Sequence, residues 1–485
     1  MKQQTLAIAG CGPRGLAAAE AALSAVPGLQ IDVFEPGPFP GVGPNFRPDE
    51  ETECLLNLPV RELDLGAPDI GEWLSVPPDS YPPRAAVGRY LTARWQALRP
   101  RLHLVPERAM RVTHEGGWRV NGRGPYDHVL LTQGQPPVAP DEQVARWRAH
   151  AETHGLTLLD AYPTGPIAGA VWSGRRVALR GLALSTLDVV AILTVGQGGQ
   201  FDGESYAPSG REPAVIAPFS LDGVPPMPKP ASAALDAIFD PTEAERAAMV
   251  QAVTEALTSG PDDALKRLTT ALSPIARRIT GDDPERWLEI ERHAPGSQDE
   301  RDPVTALDHG IAMAEGRAAP TVGYTVGQVW RKLQVDLRPP FATGTGRCET
   351  RQAMLGFERG LKRISYGPPV YSARLLRALV AAQIVRLTMA DDPSIALESG
   401  GWRLDAGLLA DTMINCVLPG PAPDDITDPL VRGLVTDGHL KADCGLRTLS
   451  PGLSVLGRTT EGQTWGTDSL IDCFGATTRA WAARL

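Results

Sequence analysis

Thr5-Leu6-Ala7-Ile8-Ala9-Gly10-Cys11-Gly12-Pro13-Arg14-Gly15 is the stretch whose reading decides the fold class. An apolar strand over 5–9 runs into three glycines. An Ala-rich helix over 16–26 follows, then a strand over 30–34 that ends at Glu35. The spacing predicts a βαβ unit at the start of the chain. In such a unit Gly10 permits the tight turn, Gly12 lets the backbone approach a pyrophosphate, and Gly15 lets the helix pack close on the strand, so that the helix N-terminus faces the anion. The carboxylate of Glu35 can accept from both hydroxyls of a ribose and disfavours a 2′-phosphate. An adenine dinucleotide with an unmodified ribose, FAD or NAD, is therefore expected.

The chain has 485 residues, more than one ordinary core accommodates, so two or three domains are expected. Apolar residues make 42% and charged residues 21%, an ordinary globular composition. Gly and Pro together make about a fifth, which calls for many turns and close backbone approaches. The net charge is −10 with no basic stripe, which argues against a nucleic-acid partner. No run of about 20 apolar residues predicts a membrane span, and the early glycines leave no room for a signal peptide, so a cytoplasmic protein is expected. Cys11, Cys54, Cys348, Cys416, Cys444 and Cys473 contain no CxxC pair, which excludes a local zinc ribbon or redox dithiol. His150 and His154 stand four apart on a possible helix, but Glu152 is at the wrong offset for the zinc-protease motif. No metal site is expected.

Further along, a helix is predicted over 87–98 and short strands over 103–105, 110–114, 117–120 and 128–132, the last leading to Gly134. A second strand-turn-helix passage covers 176–179, Gly181 and 184–195. Between 231 and 385 the pattern turns helical, over 243–257, 264–279, 326–335 and 371–389, with Pro241, Pro261 and Pro274 as breakers. The Trp-containing segments 285–290 and 326–333 read as core. Strands return over 395–398, 402–405, 412–418 and 453–456. The expected fold is α/β: a Rossmann-like FAD domain split across both termini (1–165 and 391–485), an inserted Rossmann-like nucleotide-binding domain (166–230), and a helical cap that shapes the substrate region (231–390).

Several motifs carry a family resemblance: Gly10 to Gly15 with Pro13 and Arg14, Glu35-Pro36-Gly37-Pro38-Phe39, Leu55-Leu56-Asn57-Leu58-Pro59, and Tyr81 to Arg84 with Gly88 and Tyr90. Tyr206-Ala207-Pro208-Ser209-Gly210-Arg211-Glu212-Pro213 and Gly457-Arg458-Thr459-Thr460-Glu461-Gly462 belong with them. Together they resemble the FAD-NAD(P)-binding protein family. More distantly, Gly12-Pro13 and the inserted second nucleotide fold resemble the flavin-dependent N-hydroxylating monooxygenases. The resemblance implies FAD at the first fingerprint, with Asn57, Leu58, Arg84 and Gly457 among its contacts, and a nicotinamide cofactor at the second.

The second fingerprint departs from the pattern. Gly181-Leu182-Ala183-Leu184-Ser185-Thr186 keeps only the first glycine, and the Cβ of Ala183 narrows the approach of a pyrophosphate. Either it is a live NAD(P) site, in which Ser209 and Arg211 hold a 2′-phosphate and favour NADPH, or it is a degenerate fold that binds nothing. Thr132 and Gly134 read equally as cofactor neighbours or as a plain strand-end turn. In the late passage 457–470, Glu461, Trp465, Asp468 and Ser469 are candidates for the flavin ring and ribityl chain, with an N-cap as the alternative for Asp468 or Ser469.

These readings predict an FAD-dependent oxidoreductase acting on a small molecule. The first expectation is an NADPH-dependent monooxygenase that hydroxylates an amine nitrogen through a flavin C4a-hydroperoxide, chemistry supplied by the cofactor and not by a conspicuous acid or base. The alternatives are a dehydrogenase or oxidase of an amine or hydroxy acid without NADPH, and a non-catalytic flavoprotein that binds partners or senses redox state.

Overall fold

The computed structural model describes residues 3–387, 391–405, 407–420 and 422–485. Two parallel sheets organise the chain, one for each glycine turn. In the first, β1 (Thr5–Ala9), β2 (Gln30–Phe34), β3 (His103–Val105), β4 (His128–Leu131) and a late strand, Leu453–Val455, lie in the order Leu453–Val455, β4, β1, β2, β3. Every pairing is parallel, with Ala9 level with Phe34 on one side and Leu131 on the other. Strands buried on both faces should be continuously apolar, and Leu6, Ala7, Ile8 and Ala9 are all fully buried.

In the second sheet, β5 (Thr157–Asp160), β6 (Arg176–Arg180), β7 (Val215–Phe219) and β8 (Thr412–Asn415) lie in the order β7, β6, β8, β5, again all parallel. The late strand of the first sheet is β9 (Leu453–Val455). This overturns the expected return of 391–485 to the first domain as one block. β8 inserts between β6 and β5, and the antiparallel strands Ile395–Glu398, Gly401–Leu404 and Leu409–Ala410 cover that sheet through Trp402 and Leu404, which pack with Trp147, Phe219 and Met413. The boundary at 165/166 moves as well, because β5 belongs to the second sheet. Nothing in the local sequence of an apolar strand states which sheet it will enter.

The helices that frame the sites are α1 (Pro13–Ala25), α2 (Arg84–Leu98), α3 (Leu184–Leu193), α4 (Val322–Thr343) and α5 (Cys348–Ser365). α1 begins at Pro13 and not at 16, since a proline at the first position loses no intrahelical hydrogen bond and has a helical φ already set. α2 starts three residues earlier than the expected 87. α3 stops at Leu193, short of 195. α4 is far longer than the expected 326–335, and α5 was not anticipated. Pro261 opens the helix Pro261–Thr280, and Pro274 lies inside it, contrary to its reading as a breaker. Burial of Leu268, Leu272, Ile275 and Ala276 on one face outweighs the lost hydrogen bond. The helix expected over 371–389 is Val370–Ala381, and 388–390 lie outside the described residues. The strands expected over 110–114, 117–120, 412–418 and 453–456 are the shorter Val112–His114, Trp118–Val120, β8 and β9, and the one expected over 402–405 is Gly401–Leu404, one residue earlier. Trp330 is fully buried in the helical core, and Trp287 packs at its edge, as their reading as core residues requires.

Candidate functional site

The first glycine turn stands at the carboxyl end of β1, between β2 and β4, where the chain winds off in two directions and open α/β sheets bind their ligands. Gly10 has φ +94°, and a Cβ there would come 2.9 Å from the Thr132 carbonyl oxygen and from Gln133 Cα. A Cβ at Gly15 would overlap the Gly10 carbonyl oxygen. These two glycines serve packing. Gly12 differs: its nearest neighbour for a Cβ is Gly43 Cα at 3.6 Å, and Gly43 itself has φ +63°. Gly12 and Gly43 thus form a cradle from which side chains are absent. Above it, the N-terminus of α1 has no side-chain cap and no acidic residue in its first turn. Unsatisfied N–H groups over a side-chain-free cradle fit a pyrophosphate.

Glu35 closes the same turn. Its Oε2 accepts from the Cys11 N–H at 2.8 Å and its Oε1 from the Gly37 N–H at 2.8 Å, which aims the carboxylate along the turn. Gly10, Glu35 and Pro36 line a cavity of about 480 Å³ with Arg108, Gln135 and Pro419, room for an adenosine moiety. Burial and the Glu35 charge push the Cys11 thiol well up, so it stays an unreactive thiol.

Arg14 is placed differently from its expected role. It is buried and pairs with Asp472, donating also to the Asp472 carbonyl at 2.7 Å, so it fastens α1 to the C-terminal segment. Its Nε keeps no partner and lies 3.9 Å from where a Gly457 Cβ would stand. Pro13 opens α1. The Thr132 hydroxyl donates to the Gly10 carbonyl at 2.7 Å, which locks β4 to the turn, and Gly134 has φ +70° with open space around it. Asn57 offers its carbonyl to Lys229, and Leu58 packs against the first core. Arg84 is committed to Asp188 and Tyr162 of the second sheet unit.

In the late passage Gly457 has φ +101° and Arg458 donates to Gln135 Oε1 at 2.6 Å and to the Pro419 carbonyl at 2.9 Å. Glu461 is buried against Arg359 at 2.6 Å. Trp465 is fully buried and stacks on Phe341 with ring centres 4.3 Å apart. Burial disfavours charge on Asp468, but Lys362 and Arg458 outweigh it and hold the carboxyl below its ordinary range. Ser469 stands at the N-cap of Leu470–Cys473 without a side-chain hydrogen bond.

The second turn repeats the first in reduced form. Gly181 has φ +114°, and the Thr186 hydroxyl donates to the Gly181 carbonyl at 2.8 Å, as Thr132 does to Gly10. Ala183 is the exposed N-cap of α3, again without a side-chain cap, and Ser185 is half-buried one step into the helix. Ser209 and Arg211 are not beside this turn. The Ser209 hydroxyl and the Arg211 Nε both donate to the Gln197 carbonyl, beyond the C-terminal end of the 10-residue α3, roughly 15 Å along its axis from Gly181. The 2′-phosphate role expected of them loses its geometric basis, because they flank the strand-start edge of the sheet.

Gly43, Gln135, Pro419 and Arg458 were missed as site residues. The Gly41-Val42-Gly43-Pro44 run was the available signal for the first; the other three meet only through the fold. His150 hydrogen-bonds the Glu398 carbonyl at 2.9 Å. Among the described residues no group of three or more His, Cys, Asp or Glu gathers to hold a metal, and no helix is long and apolar enough to cross a membrane.

Residues 7–136 match the FAD-NAD(P)-binding family. That segment contains the Gly12–Gly43 cradle and Glu35. Over 266 residues the chain is 31% identical to nitrosuccinic acid synthase npaA of Aspergillus oryzae, which covers 45% of this chain and 40% of the relative. It is 29% identical over 293 residues to an L-aspartate N-monooxygenase (nitrosuccinate-forming) of Streptomyces davaonensis, covering 46% and 44%. The chain thus spans less than half the length of these relatives. A solved structure of the ornithine N-hydroxylase of Kutzneria sp. 744 aligns over 100% of this chain and 98% of that one, at 12% identity and a TM-score of 0.49.

Proposed function

We propose that the protein is an FAD-dependent monooxygenase that uses NADPH to hydroxylate the amine nitrogen of a small amino acid, with L-aspartate as the first candidate. The observation that carries this reading is the uncapped N-terminus of α1 over the Gly12–Gly43 cradle, inside the segment that matches the FAD-NAD(P)-binding family. The substrate candidate follows from the names of the relatives, both nitrosuccinate-forming.

Gly12 and Gly43 would leave room for the pyrophosphate at the first turn of α1, which Pro13 opens and which Gly10 and Gly15 let pack close on β1, and Glu35 would hold the ribose. Gly457 and the 461–469 passage would face the ring system. FAD, when bound, supplies hydride acceptance and dioxygen activation. The chain's own part is to place the ring between the sheets and the helical region and to exclude water. Trp465, Phe341 and Trp330 make that side of the region dry. The Gly181 turn and the start of α3 would receive the nicotinamide nucleotide.

Anaerobic mixing of the purified flavoprotein with NADPH and with NADH tests this reading. Rapid bleaching of the flavin by NADPH, followed by oxygen-dependent consumption of L-aspartate, is expected. The Cβ of Ala183 in the second turn favours a second reading, a dehydrogenase or oxidase reduced directly by its substrate. Flavin bleaching by the amine alone, without NADPH, would establish that reading instead.

A further inference from the structure

Five cations are buried among the described residues: Arg14, Arg94, Lys229, Arg338 and Arg351. Arg14 and Arg94 pair with Asp472 and Glu20. Lys229 and Arg351 have no carboxylate but spend their N–H groups on backbone carbonyls, Lys229 on Asn57 and Gly367, Arg351 on Phe341, Gly344, Gly462 and Gln463. Arg338 does neither. It is 8% exposed, no carboxylate of the described residues pairs with it, and its Nε has no hydrogen-bond partner.

What surrounds Arg338 is equally unsatisfied. Gln334, one turn earlier on the same face of α4, is buried with both amide atoms unpartnered. Gly466 lies so close over the guanidinium that a Cβ there would come 2.6 Å from Nε and 2.7 Å from Nη2. The next residue, Thr467, is buried with a free hydroxyl. Tyr366 hydrogen-bonds Arg338 and feels the charges of Glu358 and Asp468, which brings α4, α5 and the late passage into one neighbourhood. Glu358 is 1% exposed, and its Oε1 has no partner. Native interiors rarely leave so many polar atoms unpaired in one place, and a buried guanidinium calls for an anion.

We propose that Arg338, with Gln334 and Thr467 beside it, is the carboxylate-recognition site for the amino-acid substrate. The planar fork of arginine grips a carboxylate through two parallel hydrogen bonds, and the Gln334 amide and Thr467 hydroxyl have donors left for the same group. Glu358 Oε1 stands free to accept from the substrate's ammonium. The assignment rests on the N-hydroxylating reading for the identity of the ligand.

The test uses succinate, a dicarboxylate without an amine, titrated into the FAD-loaded protein by calorimetry, so that binding is read without turnover. Wild type should bind succinate and not succinamide. Arg338→Met should weaken succinate by about tenfold or more and raise the KM for L-aspartate with full FAD occupancy, and Arg338→Lys should fall between, because an ammonium cannot grip bidentately. Should Arg338→Met fail to fold, Arg338→Lys and Thr467→Val carry the test. Succinate affinity unchanged in the variants, or no succinate binding to wild type, overturns the proposal. So does loss of FAD from a folded Arg338→Met, which would give the guanidinium to the flavin's anionic edge. Failure of NADPH to bleach the wild-type flavin is a separate result: it strikes the monooxygenase reading and leaves the succinate measurement intact.

Discussion

Arg84 at the start of α2 and Asp188 in the middle of α3 form a buried ion pair at 2.6 Å, with the Tyr162 hydroxyl hydrogen-bonded to both. The pair joins the unit built on the first sheet to the unit built on the second. Hydride transfer between the two nucleotides proposed above, one on the Gly12 cradle and one on the Gly181 turn, would need these two units held in register, and this contact is one that holds them.

Arg84→Met should therefore act on stability. It leaves the Asp188 carboxylate buried without its cation, which costs about 3–5 kcal/mol. Denaturant unfolding should show that loss, and Arg84→Met with Asp188→Leu should recover much of it. If the single variant keeps full stability but releases FAD, Arg84 is a cofactor contact as its sequence motif implied.

The two glycines on either side of Pro13 should separate binding from folding. Gly12 has φ −81°, and a Cβ there meets only Gly43 at 3.6 Å, so Gly12→Val should fold, with a near-native melting temperature, yet bind no FAD. Gly15→Val drives a side chain into the Gly10 carbonyl and should yield little soluble protein. Retention of stoichiometric FAD by Gly12→Val would remove the pyrophosphate from this cradle.

Glu35→Gln keeps the shape of the side chain and removes its charge and one of its acceptor roles. Hydrogen bonds to a charged group contribute about 1.5–3 kcal/mol, so FAD affinity should fall roughly tenfold to a hundredfold. Fluorescence titration of the apoprotein with FAD measures it. An unchanged dissociation constant would mean that Glu35 only braces Cys11 and Gly37.

Lys229 carries a pH signature. It is 2% exposed, and burial first, then the Arg331 charge, push it down from 10.5 to about 7 against the pull of Glu62 and Asp236. Between about 7 and 10.5 the unfolded chain then binds more protons at this site than the folded one, so stability rises with pH across that window, and the cost is complete below about 7. Lys229→Met should flatten the rise. Denaturation midpoints at about pH 7 and about pH 9.5 should lie closer together in the variant than in wild type. An equal gap in both proteins would show that Lys229 titrates normally.

The first nucleotide turn was legible because everything it needs is local: an apolar strand, glycines at fixed offsets and a carboxylate at the end of the next strand, all within Thr5 to Glu35. Pro274 misled because its helix penalty is local while the burial of Leu268, Leu272 and Ile275 that offsets it comes from distant helices. Ser209 and Arg211 misled in another way. Their motif was legible, but its position relative to Gly181 depends on which end of α3 the loop meets. Arg338 carried no signal at all, since an arginine on an amphipathic helix reads as solvated until α5 and the late passage close over it.

By itself, the sequence determined that two strand-glycine-helix turns exist, that the first is complete and the second reduced, and that a helical region separates them from a late return. Strand periodicity and backbone freedom at glycine act over a few residues and are written in residue order. Only the tertiary structure decided that Thr412–Asn415 enters the second sheet, that Arg84 binds Asp188, and that Arg338 is buried with no carboxylate of the described residues paired to it. Those outcomes depend on desolvation and on the pairing of charges brought together from distant parts of the chain. Neither quantity exists until the chain has folded.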